Sequence, residues 1–141
     1  MTVEYLTGEE IEIIHYTIMD LYHDIDQAGI KNRDRFEAML NRPKTELYGK
    51  EAFPTIQEKA CCYYHSIARG GHIFQNGNKR TALTVFETFL NINGLELTLT
   101  EDEAEDFTVY LAYDSKFKDN DCIKYLLAEL EHAIQPLTEE L

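Results

Sequence analysis

Apolar residues recur every three or four positions along most of this chain, a spacing that predicts amphipathic α-helices. The first helix has the clearest start signal, because Thr7-Gly8-Glu9-Glu10 is a capping box in which the threonine and the second glutamate each satisfy a backbone N–H of the other. Ile11, Ile14 and Ile18 then fall on one side of the predicted helix. We expect this helix to run to about Asp24.

Five further helices are expected from the same reasoning. Thr100-Glu101-Asp102-Glu103 is a second capping box, and Gly94 is a natural stop for the helix before it. The last helix is expected to start near Asp119 or Asn120 and to bury apolar residues as far as Ile134, with Pro136 ending it. Three of the other predicted helices cover residues 33–41, 78–93 and 101–113. One more is expected to begin at Pro54 and to end at Gly70-Gly71.

Two stretches lack the helical period. Residues 46–53 hold a glycine and two aromatic residues and predict an extended flap or hairpin, whereas Leu95-Glu96-Leu97-Thr98 alternates and is expected to be briefly extended. No linker rich in proline, glycine or serine divides the 141 residues. The expected fold class is therefore all-α: a compact helical bundle with a short flap, forming a single domain over residues 1–141.

Charge and composition exclude several functions. The formal net charge of −13 repels nucleic acid, so no nucleic-acid partner is expected. No apolar run is long enough to span a bilayer, and the N-terminus lacks the order of a signal peptide, so we expect no membrane association and a cytoplasmic location. The three cysteines form no Cys-x-x-Cys motif and are interpreted as buried reduced thiols.

The segment from Gly71 to Thr81 is a polar, glycine-bearing loop that enters a predicted helix. A helix N-terminus presents unpaired N–H groups and partial positive charge, which together favour an anion, and Gly77 allows close backbone approach. Lys79 and Arg80 oppose the helix dipole there, which indicates a compensating anion. His72 can act as a general base near neutral pH. This combination predicts a site for phosphoryl or nucleotidyl transfer.

The pattern His72-x-Phe74-x-x-Gly77-Asn78-x-Arg80 resembles the signature of the Fic family, H-x-F-x-[D/E]-G-N-[G/K]-R. With Lys79 and Thr81-Ala82 the segment is similar to the Doc branch of that family, H-x-F-x-x-x-N-K-R-T-A. It does not fit a Walker A loop, in which lysine directly follows the second glycine. The likeness covers most of the chain, because the family has the same order upstream of the motif: Arg42-Pro43, Tyr48-Gly49 and Tyr64-His65-Ser66-Ile67-Ala68.

The resemblance implies an all-helical protein that transfers AMP from ATP to a protein hydroxyl group. It gives His72 the role of general base and Phe74 that of anchoring the loop in the core. The phosphates would be bound by the backbone of residues 76–79, which includes Gly77, and by the side chains of Asn78 and Arg80. The acidic position of the motif, here Asn76, would hold Mg²⁺. The flap near residues 47–53 would dock the target protein as an added strand.

The Doc branch carries lysine, here Lys79, where members that transfer AMP carry glycine. Likeness to that branch implies transfer of the γ-phosphate instead, with elongation factor Tu as the target, so that translation stops. It also implies a separate antitoxin protein as partner. The inhibitory segment [S/T]-x-x-x-E-[G/N] of many Fic proteins does not occur in this sequence, which agrees with an inhibitor on another chain.

One departure from the signature leaves alternatives open. Asn76 stands at the Asp/Glu position, and an amide oxygen is a weaker Mg²⁺ ligand than a carboxylate. We therefore carry three hypotheses: a Doc-like protein kinase, an AMP transferase on the same fold, and a non-catalytic binding module. Two further residues are weaker candidates for nucleotide contact, Arg69 and Tyr64, and the remaining histidines are interpreted as structural or solvated.

Overall fold

The computed structural model describes residues 2–69 and 72–138. The predicted stop of the third helix at Gly70-Gly71 lies outside these residues. Six α-helices dominate the described part, which also contains short 3-10 turns and two small two-stranded antiparallel sheets. The helices are α1 (Gly8–Leu21), α2 (Arg33–Asn41), α3 (Ile56–Arg69), α4 (Asn78–Ile92), α5 (Glu101–Tyr113) and α6 (Cys122–Leu130), and the strands are β1 (Glu46–Leu47), β2 (Lys50–Glu51), β3 (Leu95–Leu97) and β4 (Ile134–Pro136).

The core is built around α3 and α4, which confirms the prediction of a mainly helical bundle. The Tyr64 ring stacks on Phe86 with centroids 4.3 Å apart, and Tyr63 packs on Phe89 at 4.9 Å. The Tyr64 hydroxyl is also hydrogen-bonded to Thr108 of α5, which joins a third helix to the pair. The three cysteines are free and buried, as expected.

The first helix ends earlier than predicted. α1 stops at Leu21, and His23 takes a left-handed conformation with φ of 61°. The N–H of Asp24 donates to the carbonyl of Met19 at 2.7 Å and that of His23 to Asp20 at 3.0 Å, the pattern of a Schellman stop. His23 occupies the left-handed position after the helix, where glycine is usual. The sequence therefore contained no glycine signal for the end of α1.

The last helix is also shorter than the sequence predicted. α6 ends at Leu130, and Ile134, which was expected on the inner side of that helix, belongs to β4. β4 pairs with β3 in the register Leu97↔Ile134, and the N–H of Thr98 donates to the Ala133 carbonyl at 2.7 Å. Tertiary strand pairing thus overrides a local helical spacing.

The flap is a hairpin, one of the two alternatives the sequence left open. β1 and β2 pair in the register Glu46↔Glu51, and the turn between them has positive φ at Tyr48 and Gly49. The tip is open to solvent, with Leu47 60% and Tyr48 104% exposed. Across the described ranges no helix is both long and apolar enough to cross a membrane.

Candidate functional site

The motif loop, residues 72–77, is anchored to the chain that precedes α2. The carbonyl of Ile73 accepts hydrogen bonds from the N–H groups of Lys31, at 2.7 Å, and Asn32, at 3.2 Å. The N–H of Gln75 donates to the Gly29 carbonyl at 2.9 Å. These bonds hold both sides of Phe74, and they form a short bridge of β type that links Phe74 to Ile30. The loop is therefore fixed before any ligand arrives.

Phe74 and His15 anchor the loop in the protein core. The Phe74 ring is fully buried and stacks on the imidazole of His15 with centroids 3.9 Å apart. The Gly29 N–H donates to His15 Nε2 at 3.0 Å, so Nδ1 carries the proton and donates to Thr81 Oγ1, also at 3.0 Å. Burial lowers the pKa of His15 to about 4, which keeps the ring neutral. One histidine thus joins α1, the loop and the first turn of α4.

Asn78 closes the loop onto the start of α4. Its Oδ1 accepts from the Phe74 N–H at 3.0 Å, and its Nδ2 donates to the Phe74 carbonyl at 2.9 Å. The resemblance predicted a phosphate contact for this side chain. In the structure the carboxamide is engaged at both ends, and one Nδ2 hydrogen remains for a ligand.

Gly77 is required by conformation and by space. It has φ of 72°, and a Cβ built on it would lie 2.5 Å from the sulfur of Met19, a fully buried residue of α1. Its carbonyl accepts the first helical hydrogen bond of α4, from Thr81 at 2.9 Å. Gly77 is the N-cap of α4 and supplies no side-chain cap. The orphan N–H groups of the first turn are thus left without a side-chain oxygen from the N-cap.

Asn76 lies at the exposed edge of the loop. Its Oδ1 accepts from the Gly77 N–H and its Nδ2 donates to Gln27 Oε1, both at 2.7 Å. No group of three or more His, Cys, Asp or Glu side chains within residues 2–69 and 72–138 is placed to hold a metal ion. Asn76 therefore offers at most one lone pair of an amide oxygen to a cation.

Lys79 and Arg80 are exposed on the first turn of α4, and each rests on an aromatic ring. Lys79 Nζ is 3.2 Å from the Tyr113 hydroxyl and 5.3 Å from the centre of its ring. The Arg80 guanidinium lies 4.1 Å from the Tyr22 ring and 3.6 Å from an Asp24 carboxylate oxygen. These contacts orient both cations without burying them, so both remain accessible to an anion.

A cavity of about 670 Å³ opens beside the two cations, between α1, α4 and α5. Tyr22, Leu83 and Val109 contribute apolar surface, and Glu101 and Glu105 add negative charge. Its volume is that of a small-molecule site. The carboxylates disfavour phosphate inside the cavity, which leaves the helix start with Lys79 and Arg80 as the more favourable place for negative charge.

His72 is exposed and sits directly before the anchored Ile73. Its φ of 86° places a residue with a side chain in the left-handed region. Such strained backbone is concentrated at functional sites, where the surrounding structure holds it in place. His72 therefore has the accessibility that a general base needs, on a backbone held by the hydrogen bonds of Ile73.

Arg69 and Tyr64, the two weaker candidates for nucleotide contact, make structural contacts instead. Arg69 donates to the carbonyls of Leu111, at 3.0 Å, and Asp114, so it caps the end of α5. Tyr64 is 1% exposed and packs in the core. The sequence did not single out His15, although its place four residues after Ile11 on an apolar helix side was a signal for a buried contact.

Comparison with known proteins places the motif loop inside a matched region. The model of the Fic/DOC family matches residues 5–90. The chain is 36% identical over 88 residues to Toxin Doc of Mycolicibacterium smegmatis, a match that covers 62% of each chain and so less than two thirds of that protein. It is 30% identical over 107 residues to Protein kinase doc of Escherichia phage P1, covering 76% of this chain and 81% of the phage protein.

Proposed function

The chain belongs to the Fic/DOC family, and from this premise we propose that it is a Doc-type toxin that transfers a phosphate from a nucleoside triphosphate to a hydroxyl group of a target protein. The observation that carries the proposal is the anchored loop of residues 72–77, which leads an exposed histidine into a helix start with two adjacent cations. The names of the two relatives, one a toxin and one a protein kinase, support the toxin and kinase parts.

In the proposed reaction His72 acts as the general base. An imidazole nitrogen accepts the proton of the target hydroxyl while its oxygen forms a bond to the γ-phosphorus. The bond between that phosphorus and the bridging oxygen breaks, and nucleoside diphosphate leaves with the electron pair. The hydrogen bonds at Ile73 and Phe74 keep the backbone beside His72 in place during this transfer.

The phosphates would lie at the start of α4. The backbone N–H groups after Gly77 point out of the helix end, and Lys79 and Arg80 add two positive charges there. These groups act where negative charge develops on the transferred phosphoryl and the leaving diphosphate. ATP is the expected donor, and the apolar part of the adjacent cavity is the space available to its nucleoside.

Magnesium is expected with the nucleotide, because it neutralises phosphate charge in reactions of this class. The residues present fit a weakly held ion only: Asn76 offers one amide oxygen, already hydrogen-bonded to Gly77. Asn76 would be the candidate protein ligand of such an ion, and the substrate phosphates and water would have to supply the other ligands. Held in this way, the ion would neutralise phosphate charge without a protein carboxylate at position 76.

The target is proposed to be a translation factor, with elongation factor Tu as the first candidate, and the inhibitor to be a separate antitoxin protein. Support for the antitoxin comes from the similarity to Toxin Doc and from the absence of the inhibitory Fic segment in the sequence. The exposed edge of the flap hairpin is the proposed docking site for an extended segment of the target.

A cell-free bacterial translation extract tests this function. Adding the wild-type protein is expected to stop amino-acid incorporation, whereas His72→Ala leaves incorporation unchanged because it lacks the base. The matched control is His132→Ala, which replaces another exposed histidine outside the loop and should inhibit like the wild type. Equal inhibition by wild type and His72→Ala would refute the assigned chemistry.

The same fold with the nucleotide bound in the opposite sense would transfer AMP, and we keep AMP transfer as the second candidate because the family signature is shared with AMP transferases. The non-catalytic alternative depends on Asn76 in place of a carboxylate. Binding of ATP with Mg²⁺, measured by calorimetry, separates it from the two enzymes, because a binding module that has lost metal support binds weakly or not at all.

A further inference from the structure

Lys59 is a fully buried cation next to the flap. It lies in the first turn of α3 and is 0% exposed. Lysine is almost never fully buried unless its ammonium group is paired, because removing an unpaired charge from water is strongly unfavourable. The proposed reaction assigns this residue no part, so its burial calls for a separate explanation.

The Lys59 ammonium group is saturated by three acceptors. Nζ lies 3.0 Å from Glu51 Oε1 and 3.2 Å from the Pro43 carbonyl, and it also donates to the Phe53 carbonyl. An ammonium has three N–H donors, so all three are used. Burial alone would lower the pKa of Lys59, but its interactions with Glu51 and Tyr5 raise the pKa above its ordinary value, so the group stays charged.

The three acceptors surround the base of the flap hairpin. Pro43 lies three residues before β1, Glu51 belongs to β2, and Phe53 lies two residues after β2. One side chain from a rigid helix thus holds the entry, the returning strand and the exit of the hairpin. The backbone also closes this base, because the Ala52 N–H donates to the Thr45 carbonyl at 2.8 Å.

The strands of the hairpin contribute little to holding its position. Its strands are two residues each and exposed, and a two-stranded hairpin is marginally stable in water. Moving the hairpin away from α3 would take the Glu51 carboxylate from a buried cation, and a hydrogen bond between charged groups is stronger than a bond between neutral backbone groups. The contact therefore opposes displacement of the flap far more than the hairpin's own ladder does.

We propose that Lys59 is a positioning residue that fixes the flap for addition of an extended segment of the target protein. The inference rests on the proposed function, in which that segment brings its hydroxyl group to His72. A flap held in place before binding removes an ordering cost from association, and thus lowers KM for the target. Lys59 touches neither nucleotide nor hydroxyl, so kcat at saturating target is expected to be unchanged.

The sharpest test compares two glutamates of the hairpin. Glu51 and Glu46 face each other in the register of β1 and β2, and of the two only Glu51 is bonded to Lys59. Glu51→Ala and Glu46→Ala remove the same cross-strand repulsion, so their difference reports the contact with Lys59. Glu51 is 49% exposed in its side chain, and neither variant disturbs the core.

Hydrogen exchange of the Ala52 amide measures flap opening without any target. We expect exchange at Ala52 to be about tenfold faster in Glu51→Ala than in Glu46→Ala, the factor that corresponds to one charged hydrogen bond. Lys59→Met is expected to increase it further, whereas Lys118→Met, at an exposed position, is the matched control. Equal exchange in the two glutamate variants would overturn the proposal.

Kinetics with elongation factor Tu as the probe tests the expected effect of the fixed flap on KM for the target protein. Glu51→Ala should raise KM for the protein target several-fold over Glu46→Ala while kcat and the Kd for ATP stay unchanged. A loss in kcat with KM unchanged would overturn the positioning role. If the wild type modifies no elongation factor Tu, the proposed target fails, and the exchange of Ala52 still decides whether Lys59 holds the flap.

Discussion

Substitution of Gly77 tests the geometry of the loop most sharply, because it introduces two separate penalties. The backbone there has φ of 72°, and a side chain in the left-handed region costs about 1–2 kcal/mol. In addition, the new Cβ would lie 2.5 Å from the sulfur of fully buried Met19, and overpacking of a core costs about 1–3 kcal/mol. Gly77→Ala should therefore lower the free energy of unfolding by roughly 2–5 kcal/mol.

Gly94→Ala is the matched control for Gly77→Ala. Gly94 follows the other end of α4 with φ of 83°, and a Cβ there meets no atom within 4 Å. It carries the backbone penalty alone, so the expected loss in the free energy of unfolding is about 1–2 kcal/mol.

Urea unfolding of both variants and the wild type measures the difference. Gly77→Ala should be the less stable variant by at least about 1 kcal/mol, the contribution of the contact with Met19. It should also weaken ATP binding, because Met19 and α4 cannot both keep their places, whereas Gly94→Ala should bind like the wild type. Equal stability of the two variants would refute the packing argument.

Two further predictions concern protons and the metal. The pKa values of His15 and His65 are lowered to about 4 by burial, so between pH 6.5 and about 4 the unfolded chain takes up protons that the folded chain does not. The free energy of unfolding should fall over that range, by roughly 3 kcal/mol for His15 alone, and a flat profile in chemical denaturation would contradict the burial of these neutral rings. Asn76→Asp should make ATP binding more dependent on Mg²⁺, measured by calorimetry with and without the ion, because a carboxylate replaces an amide oxygen as ligand. An unchanged dependence would remove Asn76 from the metal's surroundings.

Local signals in the sequence predicted most of the helices. The two capping boxes begin α1 and α5 with both reciprocal hydrogen bonds formed, and Arg33–Asn41 and Glu101–Tyr113 have the expected ranges. These features depend on residues a few positions apart, so the sequence contains their causes. Gly94 likewise ends α4 with a left-handed residue, as predicted.

Features that depend on distant residues were missed. β4 forms because β3 offers it a partner nearly forty positions upstream in the chain, and α1 ends at a left-handed His23 rather than at a glycine. The part of the site that the sequence could not specify is likewise nonlocal: the stack of Phe74 on His15 and the acceptors of Lys59 join segments that only folding brings together.

The role of Asn78 shows the same limit within the motif itself. A motif pattern states which residue types occur but not whether a side chain faces the ligand or the protein. Here the carboxamide pairs with the backbone of Phe74, four residues earlier, and stabilises the loop. We therefore expect Asn78 to influence phosphate binding mainly by fixing the loop at the first turn of α4.

Transfer of label from ATP tests the central claim most directly. The purified protein is incubated with a bacterial lysate and ATP labelled at either the α- or the γ-phosphate, with His72→Ala as the control. We expect a target protein to gain label from γ-labelled ATP only, and the control to give none. Label from α-labelled ATP would contradict phosphate transfer and establish AMP transfer, and no label from either donor with a folded protein would contradict the assignment as an enzyme.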